Sequence, residues 1–529
     1  MLEILYPISY TVSLLGLIAW FYNQDNDNYQ VRRRMSQIFL GGFVVYTFSL
    51  AFAEGALGYK MGILFRDMLV LGLVSQFFGF FRKNKPIFFG MLLLLFGLFP
   101  FTFYKKLVNT FPQNVEQKVT TTEPTPSIKT TPTNTPSFSL DDNGELLVDL
   151  SDGKSMEDLA KIVDQYGLTY RKAFTMKAMD DTDLDDYVLV NIPDEFEKDI
   201  LKIERALVAS GYVDYLEQNE IVQLDPIEAQ KPSKRKRTFG INDPGLSELW
   251  GFDELKMDEL YKLLKEKKLQ PKRKANIFIL DTGVDANHED LKDNYTSLKK
   301  AYDKDRQGHG THCAGIAAAV TNNKIGVASY APNNDFVRVT SVKVLSDYGG
   351  GTQQSVISGM LEAADNGADV ISMSLGSRSS RNRRRAYARA VNYCNRQGAI
   401  VIAAAGNSNM DAAQYSPANT PGIITVAAVD TTLNKAHFSN YVQNVVYGIA
   451  APGVNIYSTF PNNQYKTFNG TSMACPYVAG LVGLMKSINP EIKTEEVHTI
   501  LKSTGKATKS TPQTGKLIQP AAAIKALLK

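Results

Sequence analysis

The stretch Phe468–Gly480 reads FNGTSMACPYVAG. A glycine turn leads into Thr471 and Ser472, and small residues then run on to Gly480 as a helix begins. Two readings of Ser472 compete. As an N-cap, its hydroxyl would accept from the first free backbone N–H groups of the helix, a position that favours serine. Pro476 supports a helix start nearby, because its fixed φ suits a first turn. As a nucleophile, Ser472 would need a base for its proton and a donor for the oxyanion it creates. What the rest of the chain supplies decides between them.

From about Leu246 onward, apolar runs alternate with helical patterns. ANIFIL, FVRVTSVKVL, DVISMSL, AIVIAAAG and IITVAAV read as strands buried on both faces. Helical spacing recurs near His309–Val320, Gln353–Asn366, Arg383–Arg396 and Ser472–Ser487. The alternation predicts an α/β domain with a mainly parallel sheet and helices on both faces. Ligands on such sheets gather at the carboxyl ends of the strands. Asp281 directly follows ANIFIL, and Asn407 follows AIVIAAAG. His309 stands between glycines at the head of a small-residue helix. A lone Asp there caps a turn, and a lone His is usually structural. Together with Ser472 they offer a carboxylate, an imidazole, a hydroxyl and an amide donor. That set suits acyl transfer, in which the imidazole takes the serine proton and the carboxylate fixes its tautomer.

The blocks DTGVD, HGTHCAGIAA, SLG, AAAGN and GTSMACP occur in this order between residues 281 and 480. They resemble the motifs of the subtilisin-like serine proteases, or subtilases, and the resemblance runs from about Trp250 to the end of the chain. It implies a peptide or protein substrate and assigns roles: Asp281 orients His309, His309 is the base, Ser472 attacks, and Asn407 lines the oxyanion hole. It places Gly349, Gly350 and Gly351 on one edge of the substrate cleft and Ser374, Leu375 and Gly376 on the other, with an extended peptide added between them as a strand. The cleft floor, near Ala404–Gly406 and Gln414–Ser416, has no acidic residue, so no preference for Lys or Arg is expected. Tyr415 falls where the family often has glycine and would shorten the first specificity pocket. Ser416–Pro417 matches a bond that is cis in some relatives. The resemblance also implies a structural calcium site at Asp290, Asn323, Ile325 and Val327, with Leu246 where a glutamine ligand is expected. Cys313, four residues past His309, matches relatives sensitive to thiol reagents; its default role is a small buried hydrophobe. Arg378, Arg381, Arg383, Arg384 and Arg385 read as a solvated helix face.

Upstream, residues 144–225 show the order βαββαβ of a ferredoxin-like unit, with VDYLEQNEIVQLD as its last strand. This unit resembles the inhibitory propeptide of subtilases. Its sheet would pack on the protease and its tail would lie in the cleft. A basic segment follows, AQKPSKRKRTFGINDPG, with four positive charges from Lys234 to Arg237. Such exposed connections are nicked readily, and self-cleavage is expected between Asp225 and Asp243.

Four apolar stretches, Ile4–Tyr22, Ser36–Ala53, Met61–Phe81 and Pro86–Tyr104, are each close to the roughly 20 residues that span a bilayer as a helix. Arg32, Arg33 and Arg34 follow the first, and Arg82, Lys83 and Lys85 the third. The loop between the second and third has only Lys60. Basic loops stay cytoplasmic, so the catalytic part is expected outside the cytoplasm, on a multi-pass anchor in the lipid bilayer. Arg66 and Asp67 sit near a span end and reach the interface. A Thr/Pro-rich stalk runs from about Gln113 to Ser139. The expected organisation is therefore 1–104 as four transmembrane helices, 105–140 as linker, 141–226 as propeptide-like domain, 227–245 as basic processing linker and 246–529 as catalytic domain. A net charge of +4 over 529 residues points to no nucleic-acid partner. Three cysteines leave at least one thiol unpaired, and disulfides are not the main source of stability. Two rival readings are a silent relative that uses the fold to bind peptides or partners, and a sensor in which the spans control the protease.

Overall fold

The structure, a computed structural model, describes residues 37–40, 43, 45–47, 145–178, 182–224, 227–229, 239–379 and 385–529. The chain divides into two compact units, 1–131 and 132–529. In the first, the described residues are helical and fall within the expected span Ser36–Ala53. The other three apolar stretches, the Thr/Pro-rich stalk and the run Lys234–Arg237 lie outside the described residues. Among the described residues no helix is long and apolar enough to cross a membrane.

The second unit opens with β1 (Leu146–Leu150), α1 (Ala160–Tyr166), β2 (Thr169–Lys172), β3 (Tyr187–Asn191), α2 (Ile200–Ala209) and β4 (Val213–Gln218). The predicted βαββαβ order is present, as an antiparallel sheet ordered β2-β3-β1-β4. Side chains alternate across a strand. Leu146, Val148 and Val190 therefore pack with Ile203 and Leu207 of α2, while Leu147 and Leu189 join a core that belongs to the large domain. One departure from expectation is the last strand. VDYLEQNEIVQLD is not one strand but two: β4 ends at Gln218, and β5 (Ile221–Gln223) leaves the sheet. The break at Asn219–Glu220 is made by a helix of the large domain. Gln353 N donates to the Glu220 carbonyl (2.7 Å) and Gln354 N to Asn219 Oδ1 (2.9 Å).

Next come β6 (Ile227–Glu228), α3 (Trp250–Glu254), α4 (Met257–Glu266), β7 (Ala275–Asp281), α5 (His309–Ala318), β8 (Val337–Lys343) and β9 (Gly350–Thr352). α6 (Gln353–Asp365), β10 (Val370–Met373), β11 (Ser377–Arg378), α7 (Arg385–Arg396), β12 (Ile400–Ala404), β13 (Tyr415–Ser416) and β14 (Ile423–Val429) follow. The site is completed by β15 (Tyr447–Pro452), β16 (Ile456–Phe460), β17 (Gln464–Asn469) and α8 (Thr471–Ile488). The central sheet is six-stranded and parallel, ordered β15-β14-β12-β10-β7-β8. Ile277, Ile279, Ile400 and Ile402 face α5 and α8. Phe278, Leu280, Val401 and Ala403 face α6 and α7. Burial on both faces explains why these strands read as unbroken apolar runs. β15 escaped the sequence pattern because Gly448 and Pro452 interrupt it; it lies at the sheet edge, where proline is tolerated.

Candidate active site

Asp281 is the last residue of β7 and is wholly buried. Both of its carboxylate oxygens lie 2.9 Å from His309 Nδ1. His309 opens α5, and Gly308 before it has φ 97°, a left-handed turn suited to glycine. A Cβ on Gly310 would sit 2.1 Å from the Gly283 carbonyl oxygen, so the helix head can press against the DTG turn only as His-Gly. Burial alone pushes the imidazole pKa down. The Asp281 carboxylate beside it more than reverses this and holds it well above the ordinary value.

Asp305 was not legible in the sequence, where DKDRQG looks like a charged loop. It is buried and accepts from Gly308 N, Thr311 N and Oγ1, and Thr282 Oγ1 at 2.7–2.9 Å. It ties the turn before His309 to the strand end that carries Asp281.

Ser472 is not the N-cap of α8. Gly470 takes that position, and Ser472 lies in the first turn with its Oγ donating to the Ser374 carbonyl at 3.0 Å. Pro476 is inside the helix rather than at its first residue. Having no N–H, it cannot serve the Ser472 carbonyl four residues back. Ser374 Oγ donates to that carbonyl instead, at 2.8 Å, and Cys313 Sγ also reaches it at 3.5 Å. Cys313 Sγ lies 3.9 Å from His309 Nδ1, so one thiol adjoins both the imidazole and the serine. Burial pushes that thiol pKa up and keeps it protonated.

Asn407 follows β12. Its Oδ1 accepts from Thr471 N (2.9 Å) and Thr471 Oγ1 (2.8 Å), and Thr471 Oγ1 accepts in turn from Gly406 N (3.1 Å). With its oxygen so engaged, Asn407 is oriented by the residue next to Ser472 and keeps its amide hydrogens to donate. The structure thus brings Asp281, His309, Ser472 and Asn407 from four distant segments to one end of the parallel sheet.

The cleft beside them is lined by this chain's own segment. β5 pairs antiparallel with β9, Ile221 through Gln223 opposite Thr352 back to Gly350, and Leu224 N donates to the Gly349 carbonyl at 2.9 Å. Its other side runs beside β11, which continues from Ser374-Leu375-Gly376. Val222 and Leu224 are buried while Ile221 and Gln223 are exposed, the alternation of a half-buried strand. Tyr415 is buried with its hydroxyl 3.6 Å from Met410 Sδ, and Ser416–Pro417 is cis.

Of the predicted solvated arginine face, Arg378 and Arg385 are exposed, and Arg381, Arg383 and Arg384 lie outside the described residues. Arg385, with Arg389, also pairs with buried Asp149 of β1 at 3.4 and 2.9 Å. Beside this pair Glu217 of β4 accepts from Ala386 N at the head of α7 (3.1 Å), and burial pushes its carboxyl up to about 7.

The four expected metal ligands also converge. Asp290 is wholly buried and accepts from Asn323 Nδ2 (2.8 Å) and Val327 N (2.7 Å), while Asn323 Oδ1 accepts from Ile325 N (2.7 Å). Burial pushes the Asp290 carboxyl up to about 8. Leu246, nearby in the N-terminal segment, is buried and brings no side-chain oxygen.

A buried carboxylate–imidazole pair, with a helix-borne serine and an oriented amide beside a strand-binding groove, defines a serine hydrolase that reads extended peptides. Residues 272–517 match the model of the Subtilase family. Thermitase of Thermoactinomyces vulgaris is 45% identical over 218 residues, covering 40% of this chain and 75% of thermitase. Subtilisin DY of Bacillus licheniformis is 41% identical over 237 residues (44% of this chain, 83% of the relative). Subtilisin Savinase of Lederbergia lenta is 38% identical over 240 residues (45% and 85%). The chain belongs to the subtilase family and is a serine endopeptidase.

Proposed function

We propose that this endopeptidase works through Asp281, His309 and Ser472, with Asn407 in the oxyanion hole, and that it is made as a self-processed, membrane-anchored zymogen. The observation that carries the catalytic reading is the doubly contacted Asp281–His309 pair next to Ser472. Ser472 Oγ turns from the Ser374 carbonyl to His309, gives up its proton and bonds to the scissile carbonyl carbon. The negative oxygen that results is held by Asn407 Nδ2 and by the Ser472 N–H, which as a first-turn group has no partner within its helix. His309 then passes the proton to the leaving amine, the C–N bond breaks, and water resolves the acyl-enzyme by the same steps. Asn407→Ala is expected to lower kcat by about a hundred- to a thousandfold with little change in KM, the known cost of deleting this donor in subtilisin. Steady-state kinetics on a peptide amide check it.

The βαββαβ unit supports the zymogen reading, because its tail occupies the groove where substrate would lie. The four apolar stretches and their basic loops support the anchor and an extracytoplasmic catalytic domain. The domain limits at 104, 140, 226 and 245 belong to this reading. Mass spectrometry of the purified chain tests it: the wild type is expected cut between the βαββαβ unit and the catalytic domain, and Ser472→Ala intact. Equal cutting of both would reject self-processing.

Calcium fits in part. Asp290 is a buried carboxylate with no ion pair among the described residues, and Asn323 with the Ile325 and Val327 carbonyls supplies hard oxygens. Calcium would stiffen this loop; coordination requires the Asn323 amide to turn its oxygen toward Asp290. With calcium at about a hundred times its Kd, the melting temperature is expected to rise by roughly 5 °C or more over that in chelator. Asp290→Ala should erase the difference, and identical melting in both buffers would remove calcium from the account.

A further inference from the structure

β6, the next strand after β5, belongs to a different sheet. It pairs antiparallel with β17, Ile227 opposite Asn469 and Glu228 opposite Phe468, and Ala229 N donates to the Thr467 carbonyl at 3.1 Å. Asn469 is three residues before Ser472. Leu224 is held at Gly349, so only two residues of sequence separate the strand on the acyl side from the strand on the leaving-group side. On the self-processing reading, the bond cut would lie between Leu224 and Ile227, ahead of the basic run.

Resting on the self-processing reading above, we propose that residues 227–229 stay paired with β17 after that cut and plug the leaving-group half of the cleft. Self-cleavage then yields an enzyme open on one side only. The cut severs β5 from β6 but breaks none of the β6–β17 hydrogen bonds. The plug also remains tethered to the catalytic domain. Phe239 is buried in its core, and the Asp243 carboxylate accepts from Asn322 N (2.8 Å) and Asn323 N (3.2 Å). A nine-residue connection, 230–238, holds the strand near its site at an effective concentration on the order of millimolar. Any substrate that extends past the cut bond must compete for the same backbone edge, Thr467–Asn469.

The test compares the self-cut wild type with Ala229→Pro, which removes the N–H given to Thr467, on two substrates. A short peptidyl p-nitroanilide reaches only the acyl side. An internally quenched peptide continues several residues past the cut bond. The ratio of their kcat/KM values does not depend on how much enzyme has been freed. It is expected to shift about fivefold toward the quenched peptide in the variant, the weight of one backbone hydrogen bond. Unchanged anilide turnover shows that the variant folds. Hydrogen exchange of the self-cut wild type gives a second readout that needs no variant: the 227–229 amides should remain protected. An unchanged ratio, or full exchange of those amides, overturns the plug while self-processing stands. A wild-type chain that is never cut removes both.

Discussion

Ser472→Ala is expected to lower kcat on a peptide amide by about a millionfold, the loss seen when the corresponding serine is removed from subtilisin. The reason is local. Ser472 adjoins Thr471, which orients Asn407, and its carbonyl shares Cys313 Sγ with the His309 imidazole. Ser374, the other serine in contact, has its oxygen committed to the Ser472 carbonyl and cannot replace it. A residue of catalysis should survive, since the oxyanion donors and the strand-binding edges remain. His309→Ala should cost nearly as much, and the double variant little more than either alone, because the two act as one device. Because none of these variants can cut itself, each is first cut at the connection by an added, removable protease, and progress curves with a fluorogenic peptide then measure all three. Additive losses would mean that the two residues do not share a step.

The second large effect is on pH. Glu217 of the βαββαβ unit is buried against the head of α7, and its carboxyl is pushed from an ordinary 4.5 up to about 7 by burial. Arg385 and Arg389 of α7, Asp149 of β1 and Glu220 are the charged groups around it, with Tyr187, Tyr215 and Tyr387. A carboxyl whose pKa is raised by docking favours the docked state most when protonated. Its contribution is therefore complete below about 4.5 and is lost as pH rises through about 7. Once the chain is cut, affinity of the unit for the catalytic domain is expected to fall by roughly a hundredfold between pH 4.5 and 8. Glu217→Gln, neutral at every pH, should remove most of this response. The rate at which activity appears in self-cut protein at stepped pH reads it directly. Release that quickens toward acid would contradict the assignment.

Much of this molecule was legible from its residues. The buried strands read as apolar runs because both of their faces are covered, and each polar site residue stood out by breaking such a run. Asp281 and Asn407 were found in that way. Ser472 was singled out by its sequence, but its local geometry was not legible there. Gly470 caps the helix, and Pro476 acts through the hydrogen bond it cannot make, which lets Ser374 and Cys313 hold the Ser472 carbonyl. Asp305 was missed because its four donors come from three separate positions that only the fold unites. The split of the last propeptide-like strand was equally hidden. Its cause is the head of α6, more than 130 residues further along the chain. Arg385 is exposed as read, but its partner Asp149 stayed hidden for the same reason, since it belongs to a unit far upstream.

The most direct test of the central claim is a fluorophosphonate probe applied to self-cut protein at pH 8. Ser472 Oγ should displace fluoride from phosphorus, and peptide mapping should find a single adduct, on Ser472, that is absent from His309→Ala protein cut at the same connection by an added protease. Folded, processed protein that leaves Ser472 unlabelled, or that labels equally without His309, would contradict the account.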